Sequence, residues 1–272
     1  MRDQTGVAPN ACFASWLPRV MLLHLVCLAL TGCASIPTGA AEQVRQADRA
    51  YRLADYTQSE RLTSAVIDQH PGEQFTAEAL YLRGLTRIRQ DRRREAERDL
   101  ERALSLCRAD DLETLVLIQL GNLAFDDEAY GRAAQCLGRV VDDLPTGVPV
   151  DTLWYRYALS LQRSGDFEQA RLAFAQLIAR RPDSTLMPAA RRRMQWRSNH
   201  FTIQCGAFSE QGSARAAAEN LRKAGVDASV VAQDHRAAVP FVVHAGRYRD
   251  FPQAQAALPS VRNVQRNAFI VP

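Results

Sequence analysis

The middle of the chain repeats with a period of 37 residues, and this periodicity constrains the fold more than any other feature. One column of the repeat consists of small residues: Ala47, Gly84, Gly121 and Ala158. Two further columns keep the same spacing: Ser59, Ala96, Ala133 and Ala170, then Pro71, Arg108, Pro145 and Pro182. A fixed period of this length is typical of a solenoid, in which stacked units bury one continuous core.

Each unit is predicted to contain two helices. In the fourth unit, apolar residues follow helical spacing on both sides of Gly165-Asp166, and Pro182 ends the second helix. The small columns let the paired helices approach closely. Bulky residues are predicted to fill the space between neighbours: Leu80, Leu100, Leu117, Leu137, Trp154 and Phe174. Residues 188–196 predict a ninth, capping helix, which a solenoid needs to cover its last apolar face.

This pattern resembles the tetratricopeptide repeat, a two-helix unit of about 34 residues. The resemblance covers about residues 40–184, and it is weaker in the first unit. It implies that the first helix of each unit lines a concave groove for segments of partner proteins. Transferred to this chain, the groove contains Tyr81, Leu85, Ile118, Asn122, Tyr155 and Arg163. The alternative is that these side chains only pack between repeats.

A second, shorter pattern begins after a polar hinge at residues 198–200. Strands are predicted over 201–205, 226–231, 241–245 and 268–271, with a helix in each of the two longer gaps. The triplet Gly206-Ala207-Phe208 returns 40 residues later as Gly246-Arg247-Tyr248, and both are expected to be turns. The order β-α-β-β-α-β predicts a small ferredoxin-like fold with two helices on one face of an antiparallel sheet.

Residues 201–208 and 240–248 resemble the two halves of the SPOR (sporulation-related) domain, and the resemblance covers essentially all of 200–272. It implies binding of peptidoglycan glycan strands, preferably without stem peptides, on the open face of the sheet. Gln204 stands where the family has glutamine. The candidate glycan-binding residues are Gln204, Thr202, His244, Ser209, Arg247 and Tyr248.

Two alternatives remain open for these candidates. Tyr248 is also explained as a core aromatic, together with Phe208, and His244 as a solvated histidine of the sheet. Strand alternation places Thr202, Gln204 and His244 on the open face. Because the sheet has no tryptophan, stacking against sugar rings is expected to be weak.

The N-terminus has the features of a secretion signal. An apolar run at residues 20–30 follows Arg19 and is too short to span a bilayer. Leu30-Thr31-Gly32-Cys33 resembles the lipobox of bacterial lipoproteins, which implies cleavage before Cys33 and lipidation of its thiol. The alternative is an ordinary signal peptide with a chance cysteine. Since no aspartate follows Cys33, the periplasmic side of the outer membrane is the expected location.

These features predict four segments: a signal peptide at 1–32, a lipidated tether at 33–39, helical repeats at 40–197 and a SPOR domain at 198–272. A formal net charge of +4 is too small to indicate nucleic-acid binding. No phosphate-binding loop, zinc-protease motif or Cys-x-x-Cys pair is present, so we expect no catalytic residues, metal or cofactor. The sequence predicts an envelope lipoprotein that positions glycan and partner proteins. The rival hypothesis is a factor for outer-membrane protein assembly, which the SPOR domain only localises.

The lipobox prediction is tested by Cys33→Ser. Because the peptidase acts on the lipidated cysteine, the variant should accumulate as the unprocessed precursor. Immunoblotting after detergent partition of cell extracts distinguishes the two forms. A variant of mature size that still enters the detergent phase would contradict lipidation at Cys33.

Overall fold

Helices occupy the chain from Thr38 to Met194, and strands begin only at Phe201. The computed structural model describes residues 38–72, 74–232 and 239–272. The predicted signal peptide and Cys33 lie outside these residues. In the described part, nine helices form the solenoid, and a four-stranded sheet with two helices follows. The predicted fold class is therefore confirmed.

Eight of the solenoid helices form four consecutive pairs. The pairs are α1 (Thr38–Arg52) with α2 (Tyr56–Gln69), α3 (Gln74–Arg89) with α4 (Arg93–Leu106), α5 (Asp110–Asp126) with α6 (Tyr130–Gly138), and α7 (Val150–Arg163) with α8 (Phe167–Arg180). Helix α9 (Met187–Met194) packs against α8 and covers the end of the stack, as a capping helix does.

The first column of small residues lies where the two helices of a pair come closest. A Cβ atom added to Gly84 would lie 2.9 Å from Cγ of Leu100, and one added to Gly121 would lie 2.7 Å from Leu137. Both leucines are fully buried. The glycines therefore make room for a bulky residue from the partner helix, which explains why the column holds only glycine and alanine.

The turns inside the four pairs share a further column that the sequence did not reveal. Ala54, Asp91, Glu128 and Gly165 all have positive φ angles, of 60°, 60°, 60° and 95°, and they are again 37 residues apart. Only the fourth turn has the glycine that this conformation favours. The following residue caps the second helix in two units, where Asp55 accepts from the amide of Gln58 and Asp166 from that of Gln169.

The C-terminal sheet has the strand order β2-β3-β1-β4, and its paired strands are antiparallel. The elements in chain order are β1 (Phe201–Phe208), α10 (Gln211–Lys223), β2 (Ala228–Ala232), β3 (Phe241–Tyr248), α11 (Phe251–Val264) and β4 (Phe269–Val271). Its core lies between the sheet and the two helices and includes Ile203, Val243, Ala245, Leu221 and Val261.

The two glycine triplets are not turns, contrary to the sequence prediction. Gly206 and Gly246 lie inside β1 and β3, close to two irregularities in the pairing of these strands. Gly246 has a φ of 69°, and the rings of Phe208 and Tyr248 lie where side chains at Gly206 and Gly246 would otherwise be. A glycine within a strand commonly marks a bulge or a close approach, and here it marks both.

Adding and removing a side chain in two columns of the repeat, the turn column and the column of small helix residues, should have opposite effects on stability. Glu128→Gly should stabilise the chain by up to about 1 kcal/mol, because an exposed turn residue then adopts positive φ without strain. Gly121→Ala should destabilise it by about 1–3 kcal/mol, because Leu137 blocks the added methyl group. Urea unfolding followed by circular dichroism measures both. A loss of stability in Glu128→Gly would contradict the assigned turn conformation.

Candidate functional site

Four side chains form a row across the sheet. Gln204 in β1 pairs with His244 in β3 on one side and with Phe269 in β4 on the other. His244 in turn pairs with Ser229 in β2. The neighbouring pair Ile203 and Ala245 lies in the core beneath the helices, so alternation turns the row to the opposite face. We call these four residues the sheet row: Ser229, His244, Gln204 and Phe269.

Phe269 is a residue of the sheet row that the sequence prediction missed. Its side chain is 48% exposed beside Gln204, although a large apolar residue normally avoids water. Ile270, the next residue, packs into the core, and this alternation within β4 was the available signal. The expectation of weak stacking considered only tryptophan. The structure instead provides a phenylalanine ring next to the central amide.

Two histidines, His244 in the row and His200 beside it, have lowered pKa values. Burial lowers the pKa of His244, and the neighbouring His200 lowers it further. Burial and the charge of Arg247 lower the pKa of His200, whose Nδ1 lies 3.4 Å from Nη2 of Arg247. Since both imidazoles are neutral at neutral pH, each can donate one hydrogen bond and accept another.

Thr202 is not available to a ligand, which corrects the sequence prediction. It lies on the same side as the sheet row but is only 4% exposed. Its hydroxyl donates to the carbonyl oxygens of Gly246, at 2.8 Å, and Ala245, at 3.2 Å. These bonds satisfy backbone groups at the irregularity in β3. The hydroxyl therefore stabilises the strand rather than the open face.

Tyr248 also differs from its predicted place. Two other candidates, Ser209 and Arg247, are exposed. The Tyr248 ring packs against the core on the helix side, close to Gly246. Burial raises the pKa of its hydroxyl. The side chain thus lies on the opposite face from Gln204, and the alternative of a core aromatic describes it.

The solenoid has a cleft of about 450 Å3 on its middle repeats. Its walls come from α3, the first residue of α4, α5, α7 and the loop before α7, and they are mostly apolar. The lining includes Ile88, Leu115, Ile118, Asn122, Val148, Thr152 and Leu153. Arg156 donates to Oδ1 of Asn122 at 3.0 Å and pairs with Asp126, also on the rim. The rim charges are therefore largely neutralised. We call this feature the repeat cleft.

Of the six predicted groove residues, Ile118 and Asn122 line the repeat cleft. Tyr81 and Leu85 are half-buried on α3 and do not line it, and burial raises the pKa of Tyr81 to about 12. Tyr155 accepts a hydrogen bond from Arg193 of the capping helix.

Arg163 departs furthest from the predicted groove. Its guanidinium contacts the rings of both Tyr130 and Phe251, the latter in the sheet domain. The C-terminal end of the predicted groove is thus occupied by the chain itself.

Within the described residues, no group of three or more histidine, cysteine or acidic side chains is arranged to hold a metal ion. The described helices include none that is long and apolar enough to cross a membrane. Cys107, Cys136 and Cys205 are free thiols, and burial raises the pKa of each.

A repeat solenoid with a cleft is joined to a small sheet whose polar and aromatic row is partly exposed, and this arrangement is typical of a modular binding protein. Comparison with known families identifies the modules. Residues 198–272 match the SPOR domain, and residues 77–110 and 152–184 each match a tetratricopeptide repeat. The chain thus contains tetratricopeptide repeats and a C-terminal SPOR domain. No curated protein sequence matches it.

Several solved structures are similar to the chain. MamA is 17% identical, with a TM-score of 0.46, over 57% of this chain and 79% of that one. A tetratricopeptide repeat protein from Parabacteroides merdae is 15% identical, with a TM-score of 0.49, over 58% and 59%. PilF from Pseudomonas aeruginosa is 15% identical, with a TM-score of 0.44, over 57% and 66%.

The modules define the general function. A SPOR domain implies peptidoglycan binding and suggests association with the cell envelope. Tetratricopeptide repeats imply protein–protein interaction. Both are non-catalytic binding modules, which suggests a binding protein rather than an enzyme.

Proposed function

We propose that this protein is a cell-envelope lipoprotein that binds glycan strands through the sheet row and a partner protein through the repeat cleft. It is anchored by lipid at Cys33 on the periplasmic side of the outer membrane. Its role is to position the partner on the peptidoglycan during cell division or envelope maintenance. Binding alone performs this role, without chemistry on either ligand.

The observation that carries the glycan proposal is the pairing of Gln204 with Phe269. The amide both donates and accepts, which suits the hydroxyl and N-acetyl groups of the sugars. The exposed ring beside it offers an apolar surface for the C–H face of a sugar. Neutral His244 and Ser229 extend the hydrogen-bonding groups across the other two strands.

The repeat cleft supports the partner proposal through its shape and polarity. Its floor is apolar, and Arg156 and Asp126 neutralise each other at the rim. Arg93, which also lines the cleft, pairs with Asp127 at 2.8 Å. Apolar side chains of a partner segment, rather than a strongly charged peptide, therefore fit this surface.

Substitutions in the sheet row test the glycan site. Gln204→Ala removes about two hydrogen bonds and should weaken binding to stem-peptide-free glycan about five- to a hundredfold. Phe269→Ala should weaken it about two- to tenfold through lost stacking. Gln255→Ala is the matched control, because this exposed glutamine lies on α11 on the other side of the sheet. Co-sedimentation with purified strands measures all three.

The control and the fold check decide how these results are interpreted. Gln255→Ala should bind as the unchanged chain does, and all variants should keep its thermal unfolding midpoint. Unchanged binding by a folded Gln204→Ala variant would refute the sheet row as the glycan site. Equal losses in all three variants would also contradict it.

Site-specific photocrosslinking tests the repeat cleft. Thr152 is exposed and lines the cleft, so a photoreactive residue there should form adducts with the bound partner in living cells. The matched control is Gln135, which is exposed on α6 and does not line the cleft. Adducts from Thr152 alone would support the cleft. No adduct from Thr152, or the same adducts from both positions, would contradict it.

A further inference from the structure

An aromatic cluster joins the solenoid to the sheet domain. Phe167 begins α8, Phe201 begins β1 and Phe251 begins α11. The ring centroids of Phe167 and Phe201 are 5.2 Å apart, and those of Phe201 and Phe251 are 5.7 Å apart. Phe167 is 6% exposed and Phe201 is 2% exposed. Phe251 is half-buried beside them. The three rings form one apolar cluster that joins residues far apart in the chain.

Arg163 forms the second part of this junction. Its guanidinium lies 4.9 Å from the ring centroid of Tyr130 and 4.6 Å from that of Phe251. It also donates a hydrogen bond to the hydroxyl of Tyr130. The two rings meet edge to face, with centroids 6.0 Å apart. Cation–π contacts with one ring of the solenoid and one ring of the sheet domain thus hold Arg163 against α11.

Gly165 forms the third part, and the repeat itself shows why it is glycine. The equivalent turn residues Ala54, Asp91 and Glu128 adopt positive φ with a side chain present. Conformation alone therefore does not require glycine. A Cβ atom at Gly165, however, would lie 2.7 Å from the carbonyl oxygen of Arg249. The turn lacks a side chain in the unit where the backbone of the sheet domain lies against it.

The short connection between the two parts contains local hydrogen bonds. Ser198 donates to the carbonyl oxygen of His200 at 2.8 Å, and its hydroxyl lies 3.4 Å from the amide of the same residue. The sequence predicted a hinge here. In the structure these local bonds bend the short segment, which leads directly into Phe201 and the aromatic cluster.

We propose that the sheet domain is built as a fixed cap on the fourth repeat, so that the repeat cleft and the sheet row move as one rigid body. Arg163 and Gly165 are the positioning residues of this junction. The proposal goes beyond binding by either module, because it states that this interface fixes the angle between the repeat cleft and the sheet row. It also reserves Arg163, at the end of α7, for this interface, while Thr152 and Leu153 at the start of the same helix line the repeat cleft.

Nuclear magnetic relaxation of backbone amides in the full chain tests the junction. One rotational correlation time should describe both the solenoid helices and residues 201–271. In the double variant Arg163→Ala/Phe251→Ala, the correlation time of the sheet-domain amides should fall about twofold, because a domain of this size then tumbles separately. Arg156→Ala is the matched control, since Arg156 lies 4.9 Å from the Phe125 ring within the solenoid alone.

Each possible result either supports or overturns the fixed cap. A single correlation time that separates into two only in the double variant would support the fixed cap. Two correlation times in the unchanged chain would overturn it, even if the double variant failed to fold. A single correlation time in the double variant would also overturn the fixed cap. So would a separation of correlation times in Arg156→Ala as large as that in the double variant. Gly165→Ala should act in the same direction as the double variant.

Discussion

The close approach of paired helices at the small-residue column is the contact on which the structure depends. Leu100 and Leu137 occupy the space that side chains at Gly84 and Gly121 would fill, and both leucines are fully buried. This contact sets the distance between the two helices of a pair, and the stack is built from such pairs. The fourth pair is the one that receives the sheet domain, through Arg163 and Phe167.

Local signals were sufficient to predict the fold. The period of 37 residues, the small columns and the strand alternation identified both parts, and the structure and the family matches confirm them. Of the candidate glycan-binding residues, Gln204 and His244 lie on the open face as predicted, because they pair with each other next to Ile203 and Ala245, which lie in the core. Whether they bind glycan is a prediction that the experiments above address.

The sequence predictions were wrong where a side chain contacts residues that are distant in the chain. Thr202 is buried because its hydroxyl bonds to β3, which the alternation of β1 alone does not reveal. Tyr248 packs on the helix side of the sheet, over Gly246, which the sequence pattern placed in a turn. Arg163 has a typical groove position within its repeat, but the sheet domain, whose Phe251 is distant in sequence, covers it. Each case depends on a partner that periodicity does not identify.

The number of repeats has a consequence for reach. Helix α1 lies at one end of the stack, and the sheet domain contacts the repeat at the other end. Under the proposed anchoring at Cys33, the solenoid would act as a spacer of fixed length between the membrane and the cell wall. Since repeats add in whole units, gaining a repeat before α1 or losing the first one would change this distance in equal steps without altering the repeat cleft or the sheet row.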